Sequence, residues 1–467
     1  MNTNLDIFER MDRLPFTREH KKIWTIATGS WFVDGIFEGS PGYIVAAALV
    51  AFKFSSAISA LIVSGFGIGL LIGTIVMSYV SDALGRRKIF QVDVLIFSLG
   101  ALGMTLSPSW PFLFGFLIMT SFGIAGLFAV DNAYISEVFP KNRRGFLQDG
   151  MIVSLVPGLM VAAVLYLLPS AFPALGFRII PLILAILGFI IFPFRRSLPE
   201  SVRYLVSKKK YKEAEDFVKK LEASAGDAYR YDGGLIVPNV QKVARPRLTL
   251  FISKKYLMLM IYGMIGWFIL FFAFTFNSYV PVILEVGIGV HSSTIVFVVI
   301  LTLLADAASL VSRLFTTFTI DSLGRKFNMY FGFIVAGIGI AVWAYPWTHL
   351  NTVSFLYLVI PMMMFQFVNS WFMGFTVSYP ELFPVELRSM AYGFPAGAGR
   401  VAAIVTPFLV LAFASNIGAL FYIIAAISLA IGVAAFFVIP ETKKQNIEHS
   451  SKDPLLDSEL VPELKES

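Results

Sequence analysis

The stretch DALGRR at positions 82–87 returns as DSLGRK at positions 321–326, an offset of 239 residues. Two further patterns return at offsets of 244 and 241 residues: Glu-x-x-Pro-x-x-x-Arg at 137–144 and 381–388, and Pro-Glu-Ser/Thr at 199–201 and 440–442. Three repeats at nearly one spacing indicate that the chain contains two copies of one ancestral half.

The composition excludes an ordinary soluble protein. Of the 467 residues, 57% are apolar and only 14% are charged, whereas soluble domains carry about 25% charged residues. Apolar runs of about 20 residues, the length that crosses a bilayer, recur along the chain. A duplicated half in a chain this apolar is typical of a two-lobed membrane transporter.

Neither a metal site nor a cofactor site is predicted. The chain has no cysteine, which rules out disulfides and thiolate ligands. Its four histidines fall outside the apolar runs and lack the spacing of metal ligands. The sequence contains no nucleotide-binding glycine pattern and no nucleophile–histidine constellation, so an enzyme is not expected.

The positive charges predict the orientation of the chain. If both termini lie in the cytosol, 33 of the 37 lysines and arginines fall in cytosolic segments. This bias explains the net charge of +7 without nucleic acid, and it predicts a multi-pass protein of the cell membrane, surrounded by lipid. The expected spans are roughly 23–50, 56–80, 89–107, 111–135, 146–169, 174–194, 256–284, 293–320, 328–346, 352–378, 391–414 and 417–439.

These spans divide the chain into five predicted segments. They are a cytosolic N-terminus at 1–22, a six-helix bundle at 23–196, a cytosolic loop at 197–255, a second six-helix bundle at 256–440 and a disordered tail at 441–467. The loop is expected to hold an amphipathic helix on the membrane surface that ends near Gly226. Its apolar face comprises Tyr211, Ala214, Phe217, Val218 and Leu221.

Several motifs resemble those of a known transporter superfamily. The repeated Asp-x-x-Gly-Arg loops resemble the signature loop of the major facilitator superfamily. The segment at 134–145 resembles the loop after the fourth helix of its sugar-porter and metabolite–proton symporter branch. The segments 199–205 and 440–443 resemble the motifs of that branch after helices six and twelve. The resemblance implies an all-α integral membrane protein, with twelve transmembrane helices in two pseudo-symmetric six-helix bundles. We expect it to act as a monomer.

The repeated loops predict a cytosolic gate. Each copy places carboxylates and arginines at one membrane level, where ion pairs that form on closure would favour the outward-open state. The alternative is that these charges only fix the topology. The predicted gate residues are Asp82, Gly85, Arg86, Arg87, Glu137, Arg143, Arg144, Glu200, Asp321, Gly324, Arg325, Glu381, Arg388 and Glu441.

Acidic residues in the spans are candidates for proton coupling. Asp34 and Glu38 lie one helical turn apart and would repel each other if both were ionised, so one is expected to hold a proton. The segment at 31–35 also resembles the first-helix Asp-Gly pattern of metabolite–proton symporters, which implies a coupling role for Asp34. Asp131 and Asp149 are further candidates for proton coupling. The alternative interpretation is that they belong to the layer of gate charges. Asp93 is assigned to the gate layer because it follows the basic cluster at 86–88.

Arg400 is the leading candidate for binding the solute. It lies about ten residues into the eleventh span, where a guanidinium needs an acid, a cavity or an anionic substrate. Binding of a substrate carboxylate and pairing with an acid in the membrane are both open interpretations. Polar or flat side chains in other apolar spans complete the predicted solute site: Asn277, Gln366, Asn369 and Trp371.

The sequence departs from the sugar-porter pattern at positions that the resemblance assigns to the proton site, in the fourth helix, and to hexose binding, in the fifth and seventh helices. The fourth-helix arginine is Leu117 here, the glutamine pair of the seventh helix is Phe271 and Phe272, and the fifth-helix glutamine is Ile152. Because a buried hexose needs a partner for every hydroxyl, a small organic anion fits better than a hexose.

The predicted function is proton-coupled symport of a small polar organic solute, either an organic acid or a sugar-like metabolite, by alternating access. Two rival functions use the same fold. One is a proton-driven exporter of drugs or metabolites, and the other is a nutrient receptor that binds solute without transporting it.

Overall fold

The computed structural model describes residues 5–140, 144–237, 254–288, 292–348, 355–372, 379–383 and 388–439. Within these ranges the chain is almost entirely helical and contains no β-strand. The α-helices are α1 (Ile7–Asp12), α2 (Arg18–Phe52), α3 (Ser56–Leu84), α4 (Arg86–Thr105), α5 (Trp110–Val138), α6 (Arg144–Val153), α7 (Leu155–Leu165), α8 (Leu168–Ala171), α9 (Ile179–Arg196), α10 (Val202–Ser207), α11 (Tyr211–Ala225), α12 (Lys254–Ile288), α13 (Ser292–Ser322), α14 (Arg325–Thr348), α15 (Phe355–Phe372), α16 (Arg388–Ala412) and α17 (Ile417–Val438).

The predicted all-helical membrane architecture is confirmed. Ten stretches of the described chain are long and apolar enough to cross a bilayer, and Trp110–Gly126 is a shorter apolar helix. The number of twelve spans stays a prediction. Helix bounds agree with the predicted spans to within a few residues, as in α3, which begins at the predicted residue 56.

The predicted fifth span differs from expectation because it is broken twice. The structure divides it into α6, α7 and α8. Pro157 has no N–H to donate to the carbonyl of Val153, the last residue of α6. Pro169 likewise has no N–H to donate to the carbonyl of Leu165, the last residue of α7. A proline ring also clashes with the carbonyl four residues earlier, so each helix ends there.

The predicted amphipathic helix of the loop is α11, and Gly226 follows it with φ +103°. Its apolar face is covered by protein rather than by lipid, because Ala214, Phe217 and Leu221 belong to a buried cluster that includes Ile7 of α1. A buried ion pair between Arg10 and Glu222, with N···O 2.9 Å, adds a second tie between α1 and α11.

The helices form two compact units. Of the described residues, those within Met1–Gln241 and Ser278–Leu303 form the first unit, and those within Lys242–Asn277 and Leu304–Ser467 form the second. Glycines bring helices of the first unit together: Gly35 of α2 faces Gly158 of α7, and Gly123 of α5 lies against the backbone of α4. A side chain at any of these glycines would overlap the neighbouring backbone, so the close approach requires glycine.

Candidate functional site

The first copy of the repeated loop joins α3 to α4 through Gly85. This residue has φ +96°, and a Cβ there would overlap the carboxylate of Glu200. That carboxylate accepts hydrogen bonds from the N–H groups of Arg86 at 2.9 Å and Arg87 at 3.3 Å, the first residues of α4. Glu200 therefore caps α4 with a charge of the sign that its N-terminus favours.

Glu137 connects the same loop to α5. Its carboxylate lies 3.3 Å from the guanidinium of Arg86 and accepts a hydrogen bond from the hydroxyl of Ser201. Burial raises the pKa of the Glu200 carboxyl above its ordinary value, and the N–H groups that it caps act in the opposite direction. We call Arg86, Glu137, Glu200 and Ser201 the ionic layer.

The ionic layer ties α4 and α5 of the first unit to the segment that follows α9. In the second copy, Gly324 has φ +97°, nearly that of Gly85, as expected for a duplicated turn. The gate function stays a prediction for both copies. The remaining predicted gate side chains lie outside the described residues: Asp82, Arg143, Arg144, Asp321, Arg325, Glu381, Arg388 and Glu441.

A second group of charges lies deeper in the first unit. The guanidinium of Arg195 in α9 binds both carboxylate oxygens of Asp131 in α5, at 2.7 and 2.6 Å. Its Nε donates to the hydroxyl of Ser30 in α2 at 2.9 Å, and its plane lies over the ring of Phe90 in α4. Both charged side chains are buried, with exposed fractions of 0% and 2%.

Asp93 lies beside this pair rather than in the ionic layer with Arg86, where it was expected. Its side chain is fully buried, and neither carboxylate oxygen has a hydrogen-bond partner among the described residues. The carboxyl rests on Gly126 of α5, where a Cβ would overlap it. Arg195 and Asp131 both act on it electrostatically. We call Ser30, Asp93, Asp131 and Arg195 the inner cluster.

The other predicted proton-coupling acids lie on α2 and α6. Asp34 and Glu38 are both buried on α2, on either side of the contact between Gly35 and Gly158. The side chain of Asp149 lies outside the described residues. Burial of Asp34 and Glu38 agrees with the expected placement, and their coupling role stays a prediction.

In the second unit, Arg400 of α16 is held against aromatic rings. It is 4% exposed, and its guanidinium lies 4.5 Å from the centroid of Phe271 in α12. Trp267 stacks on Phe271 at 5.8 Å and meets Tyr392 edge-on at 5.4 Å. Gly399 allows the approach, since a Cβ there would press on the Phe271 ring.

The remaining predicted solute residues are less fully described. Gln366 is buried on α15, and Asn277 is half-buried on α12, with an Oδ1 that accepts no hydrogen bond from the described part of the chain. The side chains of Asn369 and Trp371 lie outside the described residues.

Two features of these sites were missed in the sequence. Arg195 falls one residue past the predicted end of its span, where it resembles the many basic residues of the cytosolic loop. Only the packing of the helices distinguishes it from Arg196. Phe271 was identified as a departure from the sugar-porter pattern, but its role as a flat surface for Arg400 depends on how α12 packs against α16.

The family described as "Sugar (and other) transporter" matches residues 21–453. The chain belongs to this family. It is therefore a multi-pass membrane transporter rather than an enzyme, and the predicted superfamily is confirmed. Sugar transporters and transporters of other solutes share the family, so membership leaves the solute open.

Relatives with named solutes include a niacin transporter, NiaP, of Acinetobacter baylyi, which is 26% identical over 416 residues that cover 87% of this chain and 90% of that protein. A putative niacin/nicotinamide transporter of Bacillus subtilis is 25% identical, over 92% of this chain and 98% of its own. The xylose transporter XylE of Escherichia coli, in a partially occluded inward-open conformation, superposes with a TM-score of 0.73. It is 16% identical and covers 91% of this chain and 99% of its own, which establishes the shared fold.

Proposed function

We propose that the protein takes up a small organic anion together with a proton, and that a planar aromatic monocarboxylate is the solute that fits best. The observation that carries this proposal is the buried guanidinium of Arg400 among aromatic rings. A charge at mid-membrane costs about 3 kcal/mol on insertion scales. Its contact with Phe271 offsets up to about 2 kcal/mol, and a carboxylate is the solute group that such a cation favours.

Aromatic rings around a cation also select the shape of the solute. Phe271, Trp267 and Tyr392 form a cluster of flat apolar rings beside Arg400, and the proposed site places a planar solute ring against this cluster. A sugar would leave its hydroxyls without partners against the same surfaces. The printed names of the two NiaP relatives, which refer to niacin and nicotinamide, support a pyridine carboxylate as the first compound to test.

A proton is the proposed co-substrate. Buried acids occur at Asp34, Glu38, Asp93 and Asp131 in the first unit, and groups of this kind carry protons in membrane transporters. Uptake of one proton with one carboxylate moves no net charge, so a pH gradient alone would drive it. We further propose that the two bundles span 23–196 and 256–440, and that both termini lie on the cytosolic side of the cell membrane, as the positive-inside bias favours.

Transport in proteoliposomes tests this function. Vesicles with an acidic exterior are offered radiolabelled nicotinate, benzoate, xylose or phosphate, with protein-free vesicles as the control for passive entry of the neutral acids. We expect nicotinate to accumulate with the pH gradient and xylose not to. Equal uptake of all four solutes, or none above protein-free vesicles, would overturn the proposal.

Variants of the Arg400 site separate a solute role from a structural role. Arg400→Lys keeps the charge but loses the planar stacking on Phe271, whereas Arg400→Gln removes the charge. We expect uptake of nicotinate to fall in both variants, with an increased KM in Arg400→Lys. Unchanged nicotinate uptake in Arg400→Gln would reject the role of this residue in binding the anion.

A further inference from the structure

The structure assigns the transported proton to Asp93: we propose that this carboxyl holds a proton at rest, and that Asp131 and Arg195 form the charge pair that releases and reloads it. The inference deepens the proposed function and rests on it for the coupling to solute. The protonation itself does not depend on which solute is carried.

The environment of Asp93 favours its neutral form. The side chain is fully buried, and neither oxygen has a hydrogen-bond partner in the described ranges. An ionised carboxylate in such surroundings loses its hydration without compensation, whereas a protonated carboxyl loses much less. The contact with Gly126 also leaves no space for a side chain between the carboxyl and α5.

Among the described residues, one cation and one other carboxylate act on Asp93. Arg195 acts on it from α9 and Asp131 from α5, which also carries the titratable groups of Tyr134 and Glu137. From α2 the cluster receives the uncharged side chains of Ser30 and Trp31. With a proton on Asp93 the cluster is neutral, and without it the cluster carries one uncompensated negative charge.

Arg195 explains why the proton resides on Asp93 and how it can leave. In this state, two guanidinium nitrogens bind Asp131 and the third binds Ser30, so Arg195 donates hydrogen bonds to Asp131 and none to Asp93. Each of the two terminal nitrogens carries a second N–H. When the proton leaves Asp93, these N–H groups can turn to the new carboxylate. The guanidinium then divides its hydrogen bonds between two acids on different helices, and the arrangement of α4, α5 and α9 becomes sensitive to protonation.

Infrared spectroscopy of the full-length protein in lipid nanodiscs tests the protonation directly, without any solute. A buried carboxyl that makes no hydrogen bond gives a C=O stretch at the high-frequency end of the carboxyl region. Subtracting the Asp93→Asn spectrum from the wild-type spectrum at neutral pH isolates the band of this carboxyl from those of other buried acids. We expect such a band in that difference spectrum and none in the difference between wild type and the matched surface variant Asp232→Asn. No high-frequency band in the difference between wild type and Asp93→Asn would overturn the proposal.

A second variant keeps the test valid if Asp93→Asn does not fold. Gly126→Ala leaves the carboxyl in the chain but pushes a methyl group against it. We expect its C=O band to shift in frequency, because the carboxyl must leave its position on α5. An unshifted band in Gly126→Ala would show that the protonated group lies elsewhere and would overturn the assignment.

Coupling is tested with nicotinate in proteoliposomes. With one proton per anion, a gradient of one pH unit supports about tenfold accumulation. We expect Asp93→Asn to exchange labelled for unlabelled nicotinate but to accumulate none. Full accumulation by Asp93→Asn overturns the coupling role of this residue. No nicotinate movement in the wild type overturns the proposed function instead, and the infrared result still decides whether Asp93 holds a proton.

Discussion

The ionic layer and the inner cluster use the same chemistry on the same two helices, yet only one of them is sealed from water. On α5, Glu137 lies six residues beyond Asp131, which is about 9 Å along the helix axis. Arg86 and Glu137 of the ionic layer are each 14% exposed, whereas Arg195 and Asp131 are 0% and 2% exposed. Water can solvate a charge that appears or disappears in the ionic layer. In the inner cluster only protein groups can compensate for such a change, so the gain or loss of one proton there alters the stability of the local packing.

The largest expected effect is the removal of Arg195. Arg195→Gln leaves Asp131 buried without its cation, a change that costs about 3–5 kcal/mol in buried ion pairs. The matched control is Arg196→Gln, since Arg196 is the exposed neighbour on the same helix. Denaturant unfolding in detergent should show a large loss of stability in the first variant and almost none in the second.

The double variant Arg195→Gln with Asp131→Asn sharpens this prediction. Removing both charges removes the buried, unpaired carboxylate, so the double variant should recover much of the stability that Arg195→Gln loses. If the two single changes simply add, Asp131 and Arg195 do not act as one pair, and the distinction between the two groups of charges fails.

A smaller effect is expected at Gly85 in the ionic layer. Gly85→Ala forces a side chain into a positive φ and against the Glu200 carboxylate, a strain of about 1–3 kcal/mol. Gly115→Ala in α5 is the control, because a Cβ there meets nothing within 4 Å. Unfolding free energies should therefore fall for Gly85→Ala and stay level or rise for Gly115→Ala. Equal effects would mean that the turn does not depend on glycine.

The smallest expected effect is the pH dependence of Glu200. Because burial raises the pKa of this carboxyl in the folded protein, the folded state binds more protons than the unfolded state in that pH range. Stability from this group is present below its unfolded pKa and is lost as the pH rises through the folded value. Wild type should lose stability slightly relative to Glu200→Gln over that range, measured from unfolding midpoints. A gain with rising pH would contradict the sign.

The sequence predicted the helical membrane fold because that fold depends on local patterns. It also named Arg86, Glu137 and Glu200 as candidate gate residues because their motifs recur, but the contacts that join them come from the packing of separate segments. Repeated motifs revealed the duplication, and the nearly equal φ angles of Gly85 and Gly324 agree with it. The two breaks in the fifth span coincide with Pro157 and Pro169, which lie four residues after the last residues of α6 and α7, but Pro41 and Pro281 lie inside unbroken helices, so proline alone did not predict the breaks.

The inner cluster was not predictable in the same way. Asp93 follows Arg86 by seven residues and was therefore grouped with it, but a helix carries it about 10 Å along its axis. Its actual neighbours, Asp131 and Arg195, come from two other helices, and only the packing of α4 against α5 and α9 brings them together. The pairing of Arg400 with Phe271 likewise required the packing of two distant helices.

One measurement compares the two groups of charges most directly. It is the change in internal pH when nicotinate is added to proteoliposomes that contain wild type, Asp93→Asn or Glu200→Gln. The predicted result is nicotinate-dependent acidification in wild type and in Glu200→Gln, and none in Asp93→Asn. Acidification by Asp93→Asn at the wild-type rate, or its loss only in Glu200→Gln, would contradict the assignment of the proton to the inner cluster.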